Sequence, residues 1–313
     1  MERIKQALEK ARADRMQAGG PVMPLAARGA PSPVDEIHYS QTRAIAVPYE
    51  TLREQRIVAA DSARPFADSY KILRTQVLQR MTENGWKSLA ITSAGPSEGK
   101  TLTAINLGIG LANEVTHTVL LVDADLRAPA VHRHFGLEPQ PGLSEYLTEN
   151  VPLTDLLINP AGIARFVVLP GGRPLANSAE MLNSPRMTRL VEELESRYRS
   201  RIILFDLPPV LESADTLSFS PQVDAALLVV EEGKTTVDDA QRAIELLRKT
   251  RLIGTVLNKA RKLTVEATET ANLSDRLFDT LEHSRRLNRA FKALRGMKNS
   301  LRGWWRRVRG RGS

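Results

Sequence analysis

Apolar and polar positions in the middle of this chain alternate between two periods. Short apolar runs occur at SLAITS (88–93), TVLLVDAD (118–125), FVVLPG (166–171), RIILFDLPP (201–209), AALLVVEE (225–232) and LIGTVLNKA (252–260). Stretches of helical period separate several of them. One follows the first run to about Ala112, one covers about 179–198, and VDDAQRAIELLRK follows the fifth run. A further helix is predicted over 67–82, ahead of the series, with Tyr70, Leu73, Val77 and Met81 on one face. Apolar runs of this length, without polar alternation and joined through amphipathic helices, predict an α/β fold. Its sheet is doubly wound and mostly parallel, with helices on both faces. Ligands of such sheets bind at the carboxyl ends of the strands.

Both ends of the chain read differently. Residues 4–17 have a short helical pattern (Ile4, Ala7, Leu8, Ala11), and GGPVMPLAARGAPSP after them reads as a linker. Order is expected to resume near Ile45. Three parts are expected: a helix and flexible linker over 1–44, the α/β domain over 45–265, and a tail over 266–313. The net charge of +8 on 313 residues belongs to the tail. From Leu281 to Ser313 there are eleven Lys or Arg and one acid, Glu282, so this segment carries +10 and the remaining 280 residues −2. Leu287, Phe291, Leu294, Met297, Leu301, Trp304, Trp305 and Val308 recur at helical spacing among the cations. A basic amphipathic helix with tryptophans suits an anionic membrane interface. No recognisable nucleic-acid-binding fold accompanies it, so a nucleic-acid partner is not expected. The chain has no cysteine, which excludes disulfides, thiolate metal sites and a cysteine nucleophile. No apolar run approaches the length of a transmembrane helix, and the charged N-terminus does not read as a secretory signal.

The chemistry-bearing residues lie at the ends of the apolar runs. The first run enters Ala94-Gly95-Pro96-Ser97-Glu98-Gly99-Lys100-Thr101, a phosphate-binding loop with Ala94 in place of the first glycine. Backbone N–H groups of such a loop, backed by a helix N-terminus, cradle phosphate oxygens. Gly99 permits close approach, Lys100 reaches the β- and γ-phosphates, and the Thr101 hydroxyl takes a place on Mg²⁺. Asp206 ends a later run and can hold Mg²⁺ through water. Asp123 and Asp125 end the run between them, and strand alternation predicts that both point to one side and converge on one metal or one incoming hydroxyl.

A phosphate loop, then Asp123-Ala-Asp125-Leu-Arg127, then Asp206-Leu-Pro-Pro resembles the bacterial P-loop tyrosine kinases of polysaccharide export, relatives of the MinD and ParA ATPases. The resemblance covers about residues 67–260 and includes HRHFGL (132–137), GGRPLANSAEML (171–182) and VDAALLVVEEGKTT. LRTQVLQRM and MERIKQALEKAR resemble the subgroup from exopolysaccharide loci with exosortase-type sorting systems. The resemblance implies ATP and Mg²⁺ as cofactors, with Lys100 and Thr101 on the phosphates and metal. Asp123, Asp125 and Asp206 would act as Mg²⁺-associated acids, with the first two helping to activate the acceptor hydroxyl. Arg127 would be the last residue of the second nucleotide motif, and Asn258 would face the base. It also implies a membrane-embedded activator whose cytoplasmic segment completes the site, and a location in the cytoplasm at the inner membrane. The family builds a subunit ring from E-x-x-R-x-x-R. Here Asp68-x-x-Lys71-x-x-Arg74 keeps the charge signs, but Lys cannot form the planar bidentate pair of Arg. Autophosphorylating members end in a tyrosine cluster. This chain has Tyr39, Tyr49, Tyr70, Tyr146 and Tyr198, none in its C-terminal third. The acceptor is then Tyr39 or Tyr49, or another protein, or the chain is a MinD-like ATPase switch that phosphorylates nothing.

Overall fold

The computed structural model describes residues 42–59, 66–114, 116–197 and 200–260. The expected N-terminal helix and linker, Tyr39, Tyr198 and the basic tail lie outside the described residues. Eight strands form one sheet in the order β1-β4-β5-β3-β6-β2-β7-β8. They are β1 (Arg43–Ala46), β2 (Ser88–Ser93), β3 (Thr118–Asp123), β4 (Ile158–Ala161), β5 (Phe166–Leu169), β6 (Arg201–Asp206), β7 (Ala225–Glu231) and β8 (Arg251–Asn258). Every pairing is parallel except β4 with β5.

The central strands bury both faces, and alternate residues feed two cores. Leu89, Ile91, Val119, Leu121, Ile202 and Leu204 pack in one. Ala90, Leu120, Val122, Ile203 and Phe205 pack in the other. This is why the runs are continuously apolar, and it is the doubly wound fold expected from them. The first core is covered by α2 (Ala67–Asn84), through Val77 and Met81, and by α3 (Lys100–Ala112). Helix α2 ends where Gly85 takes the left-handed conformation (φ +68°). Helix α3 is buried over almost its whole length, which matches its nearly all-apolar sequence.

Short elements complete the chain: α1 (Tyr49–Glu54), α4 (Val131–His134), α5 (Leu143–Glu149), α6 (Leu153–Leu156), α7 (Ser178–Leu182), α8 (Pro185–Arg197), α9 (Ala214–Phe219) and α10 (Val237–Leu246). The single helix predicted over 179–198 is thus two. Pro185 cannot continue α7, because it has no N–H and restricts Ser184 before it, but it fits the first turn of α8. The Ser184 hydroxyl accepts from the Met187 N–H at 3.3 Å and caps the new helix.

Candidate active site

Strands β3, β6 and β2 lie side by side, and their carboxyl ends carry the predicted residues. Asp123 is in register with Asp206 across β3 and β6, and Asp206 with Ile91 across β6 and β2. The loop from Ala94 to Gly99 leaves β2 and delivers the chain into α3. Its carbonyls are held from one side. Asn258 Nδ2 donates to the Glu98 carbonyl at 2.8 Å and Lys259 Nζ to that of Ser97 at 2.8 Å, while Lys234 Nζ donates to that of Pro96. In a planar trans peptide the N–H points opposite to the carbonyl of the same unit. The N–H groups of Ser97, Glu98 and Gly99 therefore face away from these side chains, in the loop that leads into α3. That is the geometry of an anion cradle.

The Glu98 carboxylate is buried beneath the loop, accepting from the Gly95 N–H at 3.0 Å and from the Thr235 hydroxyl. Gly99 sits at φ +91°, and a Cβ there would lie 2.1 Å from Asn258 Nδ2. Left-handed backbone and contact with Asn258 thus both require glycine. Gly99→Ala is expected to weaken nucleotide binding by about fivefold to a hundredfold, since strain of this kind costs roughly 1–3 kcal/mol. Calorimetric titration with Mg²⁺-nucleotide measures this, and unchanged affinity would show that the loop is not the cradle.

Lys100 and Thr101 open α3. Lys100 Nζ lies 2.8 Å from Asp125 Oδ2 and 3.6 Å from Asp206 Oδ1, and Thr101 Oγ1 donates to Asp206 Oδ2 at 2.6 Å. Burial alone lowers the Lys100 pKa, but Asp206 and Asp125 outweigh it and hold the ammonium above its usual value. Asp206 is fully buried, and its pKa is raised by that burial. The Asp123 carboxyl is pushed up to about 7, first by burial and then by the Asp206 charge beside it. Asp123 Oδ2 accepts from the Ala130 and Val131 N–H groups at 2.9 and 3.0 Å, which anchors the start of α4. His134, at the end of α4, is held below the ordinary imidazole range by burial and by Lys100.

The charges of Asp206, Asp125 and Asp123 all act on the Lys100 ammonium. Strand β3 ends at Asp123, so its alternation does not extend to Asp125. The Asp125 carboxylate accepts from Lys100 Nζ at 2.8 Å and from the Ala128 N–H at 3.2 Å. Asp123 Oδ1 and Asp206 Oδ1 are buried without a hydrogen-bond partner. Among the described residues, no three acidic or histidine side chains stand close enough to hold an ion by themselves. The donor set fits Mg²⁺, which takes one or two carboxylates and completes its shell with substrate phosphates and water. Thr101 and the two orphaned carboxylate oxygens are hard ligands of that kind.

Arg127 lies just beyond this cluster, with Nε 3.4 Å from Ser178 Oγ and 3.5 Å from Asp215 Oδ1. Asn258 holds the phosphate loop through the Glu98 carbonyl, and the Lys259 N–H donates to its Oδ1 at 2.8 Å. Sequence reasoning gave no role to Lys234, Thr235, His134, Ser178 or Asp215, although all but Asp215 fall within motifs it singled out. On α2, where a ring contact was expected, Lys71 pairs with Asp68 at 2.8 Å and Arg74 with Glu114 at 2.9 Å, so these charges are matched within the chain.

Comparison with known proteins follows the same outline. The sequence profile of the CobQ/CobB/MinD/ParA nucleotide binding domain matches residues 89–293. The chain is 35% identical over 194 residues to tyrosine-protein kinase YwqD of Bacillus subtilis, a match that covers 61% of this chain and 80% of YwqD. It is 31% identical over 201 residues to tyrosine-protein kinase etk of Escherichia coli, covering 64% of this chain but only 27% of that longer protein. Among solved structures it is similar to the chimerical protein CapA2B2, with a TM-score of 0.62 and 27% identity, covering 70% of this chain and 94% of the other.

Proposed function

This chain belongs to the CobQ/CobB/MinD/ParA nucleotide-binding family and, within it, to the bacterial P-loop tyrosine-protein kinases; on that premise we propose that it transfers the γ-phosphoryl group of ATP to a tyrosine hydroxyl. The observation that carries the reading is the cluster at the start of α3. There Lys100 and Thr101 are held by Asp125 and Asp206 beside an anion cradle. In the proposed reaction the loop amides and Lys100 hold the β- and γ-phosphates. Thr101 and Asp206 would hold Mg²⁺, with Asp123 beside them, and the cation when bound supplies charge neutralisation on the phosphate oxygens. Once Lys100 turns to phosphate, the Asp125 carboxylate is released. It and Asp123 are the groups available to receive the tyrosine proton as the new O–P bond forms and the bond to ADP breaks. Arg127 faces the transferring group, and Asn258 stands on the base side of the loop. Catalysis then rests on positioning and electrostatics, with no covalent intermediate on the chain.

Among the described tyrosines, Tyr49 is 54% exposed at the start of α1, while Tyr70 is half-buried and its pKa raised by desolvation. Tyr49 and Tyr39 are the acceptors proposed within the chain. Incubation with Mg²⁺ and γ-labelled ATP, followed by peptide mapping, is expected to place phosphotyrosine at one of them. Label on neither, and on no tyrosine of an added partner, would remove the kinase reading. The second reading, a MinD-like ATPase switch, is favoured by one observation: the C-terminal third holds no tyrosine.

The wider setting we propose is exopolysaccharide export, in the exosortase-associated subgroup, from the sequence resemblances at LRTQVLQRM and the N-terminus. A membrane-embedded activator with a cytoplasmic segment would complete the site, and subunits would assemble through the helix around Asp68, Lys71 and Arg74. Among the described residues no helix is long and apolar enough to cross a membrane. We propose that residues 285–313 place the chain peripherally at the cytoplasmic face of the inner membrane, as a unit separate from the domain over 45–265. Sedimentation with vesicles containing anionic lipid is expected to pellet the full chain and not a chain lacking 285–313. Equal pelleting of both would contradict this role for the tail.

A further inference from the structure

Asp215 is a buried carboxylate that the reaction described above does not use. It lies in the first turn of α9, its side chain is 0% exposed, and neither of its oxygens has a hydrogen-bond partner. The charge facing it is Arg127, whose Nε stands 3.5 Å from Oδ1. An ionised carboxylate removed from water without hydrogen bonds is unfavourable unless a cation compensates it. Arg127 is therefore drawn toward Asp215. The Ser178 hydroxyl of α7 meets the same Nε at 3.4 Å, so two elements hold the inner edge of the guanidinium.

The outer part of Arg127 remains accessible, with the side chain 54% exposed. With Nε turned inward, the two Nη groups are the donors left for a ligand. They form the planar pair that suits phosphate oxygens. Arg127 is two residues from Asp125, at most about 7 Å along the chain, and Asp125 contacts Lys100. The arginine is thus held beside the site of phosphoryl transfer. Helix α9 is itself tied to the strand ends that carry the site. Thr216 Oγ1 and Thr92 Oγ1 both donate to the Pro208 carbonyl at 2.7 Å, two residues after Asp206. The Leu175 N–H donates to the Leu126 carbonyl at 2.8 Å and joins the chain before α7 to the residue preceding Arg127.

We propose that Asp215 is a positioning residue, which with Ser178 fixes Arg127 so that its Nη pair binds the phosphoryl group in transfer. Asp215 touches neither nucleotide nor acceptor and acts only through Arg127. The inference rests on the nucleotide site proposed above, not on the identity of the acceptor, and holds equally if the final acceptor is water.

The test is binding of ADP with Mg²⁺, measured with and without fluoroaluminate, a mimic of the phosphoryl group in flight. It needs no phosphate acceptor, so failure of the kinase reading leaves it informative. In the unaltered chain fluoroaluminate is expected to tighten ADP binding. Asp215→Asn is expected to lose most of that gain, about tenfold or more, with ADP affinity alone and the melting temperature unchanged or the latter raised. Arg127→Ala is expected to lose the same gain. The double variant is expected to lose no more than Arg127→Ala alone, as for two groups acting as one unit. Any of four results would overturn the inference: a full gain retained in Asp215→Asn, additive losses in the double variant, a parallel fall of ADP affinity and melting temperature, or no gain in the unaltered chain. If Asp215→Asn does not fold, Ser178→Ala decides. It is expected to lose part of the gain, and an undiminished gain there would also overturn the inference.

Discussion

Replacement of Lys100 by methionine is expected to lower phosphotransfer by about a thousandfold or more, because a preorganised cation on a transferring phosphoryl group contributes several kcal/mol to the transition state. The structure adds a second expectation. Lys100 is only 13% exposed, 2.8 Å from Asp125 and 3.6 Å from Asp206. Its removal leaves buried carboxylates without their cation. Breaking a buried pair from one side costs about 3–5 kcal/mol. Part of this is recovered when Asp206, whose pKa burial already raises, takes up a proton, so the nucleotide-free variant is expected to be markedly destabilised at pH 8 and less so at pH 5. Chemical unfolding at the two pH values measures this. A variant inactive but equally stable at both would show that the ammonium does not compensate these acids in solution.

The second large effect concerns Asp123. Its carboxyl has a pKa of about 7 in the folded chain, against 3.8 as the ordinary value. Below about pH 4 the group is neutral in both folded and unfolded chains. As pH rises from 4 to 7 the unfolded chain ionises at this position and the folded chain does not. The unfolded state is therefore favoured, and the stability present at low pH is lost as pH rises toward 7. Above pH 7 the loss is complete. Asp123→Asn removes the titration while its side-chain carbonyl can still accept from the Ala130 and Val131 amides. The variant is expected to be more stable than the unaltered nucleotide-free chain at pH 8, with little difference at pH 4. Its phosphotransfer is expected to fall sharply, because the reaction uses the ionised carboxylate. In the unaltered chain, activity is accordingly expected to rise as pH passes through about 7. Parallel stability curves for the two chains between pH 4 and 8 would contradict this.

These two residues also mark what was legible in the sequence. Lys100 could be read because its function needs a short local motif between a strand and a helix, and both flanks carry strong periodicity. Asp123 and Asp206 could be read because each ends a buried strand. Their mutual register could not, since it depends on β6 lying between β2 and β3. The Asp125–Lys100 pair was missed for a related reason. It depends on how the turn after β3 directs Asp125 and on α3 presenting Lys100 beside it.

The edge of the sheet was harder still. Strands β1 and β4 have four residues each, and β4 reads INPA, with a proline and little apolar character. They form strands because they pair with each other in parallel, not because either sequence favours one. Lys234 and Lys259 each look like a surface cation after a strand. Only the fold brings them to the carbonyls of Pro96 and Ser97. Asp215 had no signal at all, since its burial beside Arg127 depends on three separate elements meeting. The doubly wound fold and the phosphate loop rest on local pattern. What supports and orients the loop rests on tertiary contacts.

Tyrosine phosphorylation at the cluster around Lys100 is distinguished from simple ATP hydrolysis by following both fates of the γ-phosphate at once. The purified chain and its Lys100→Met variant would be incubated with γ-labelled ATP and Mg²⁺, with and without the cytoplasmic segment of the membrane activator. Phosphotyrosine and free phosphate would be measured in the same samples. Label is expected on tyrosine and is expected to disappear in the variant. Release of free phosphate without labelled tyrosine, even with the activator segment present, would contradict this and identify the chain as an ATPase switch.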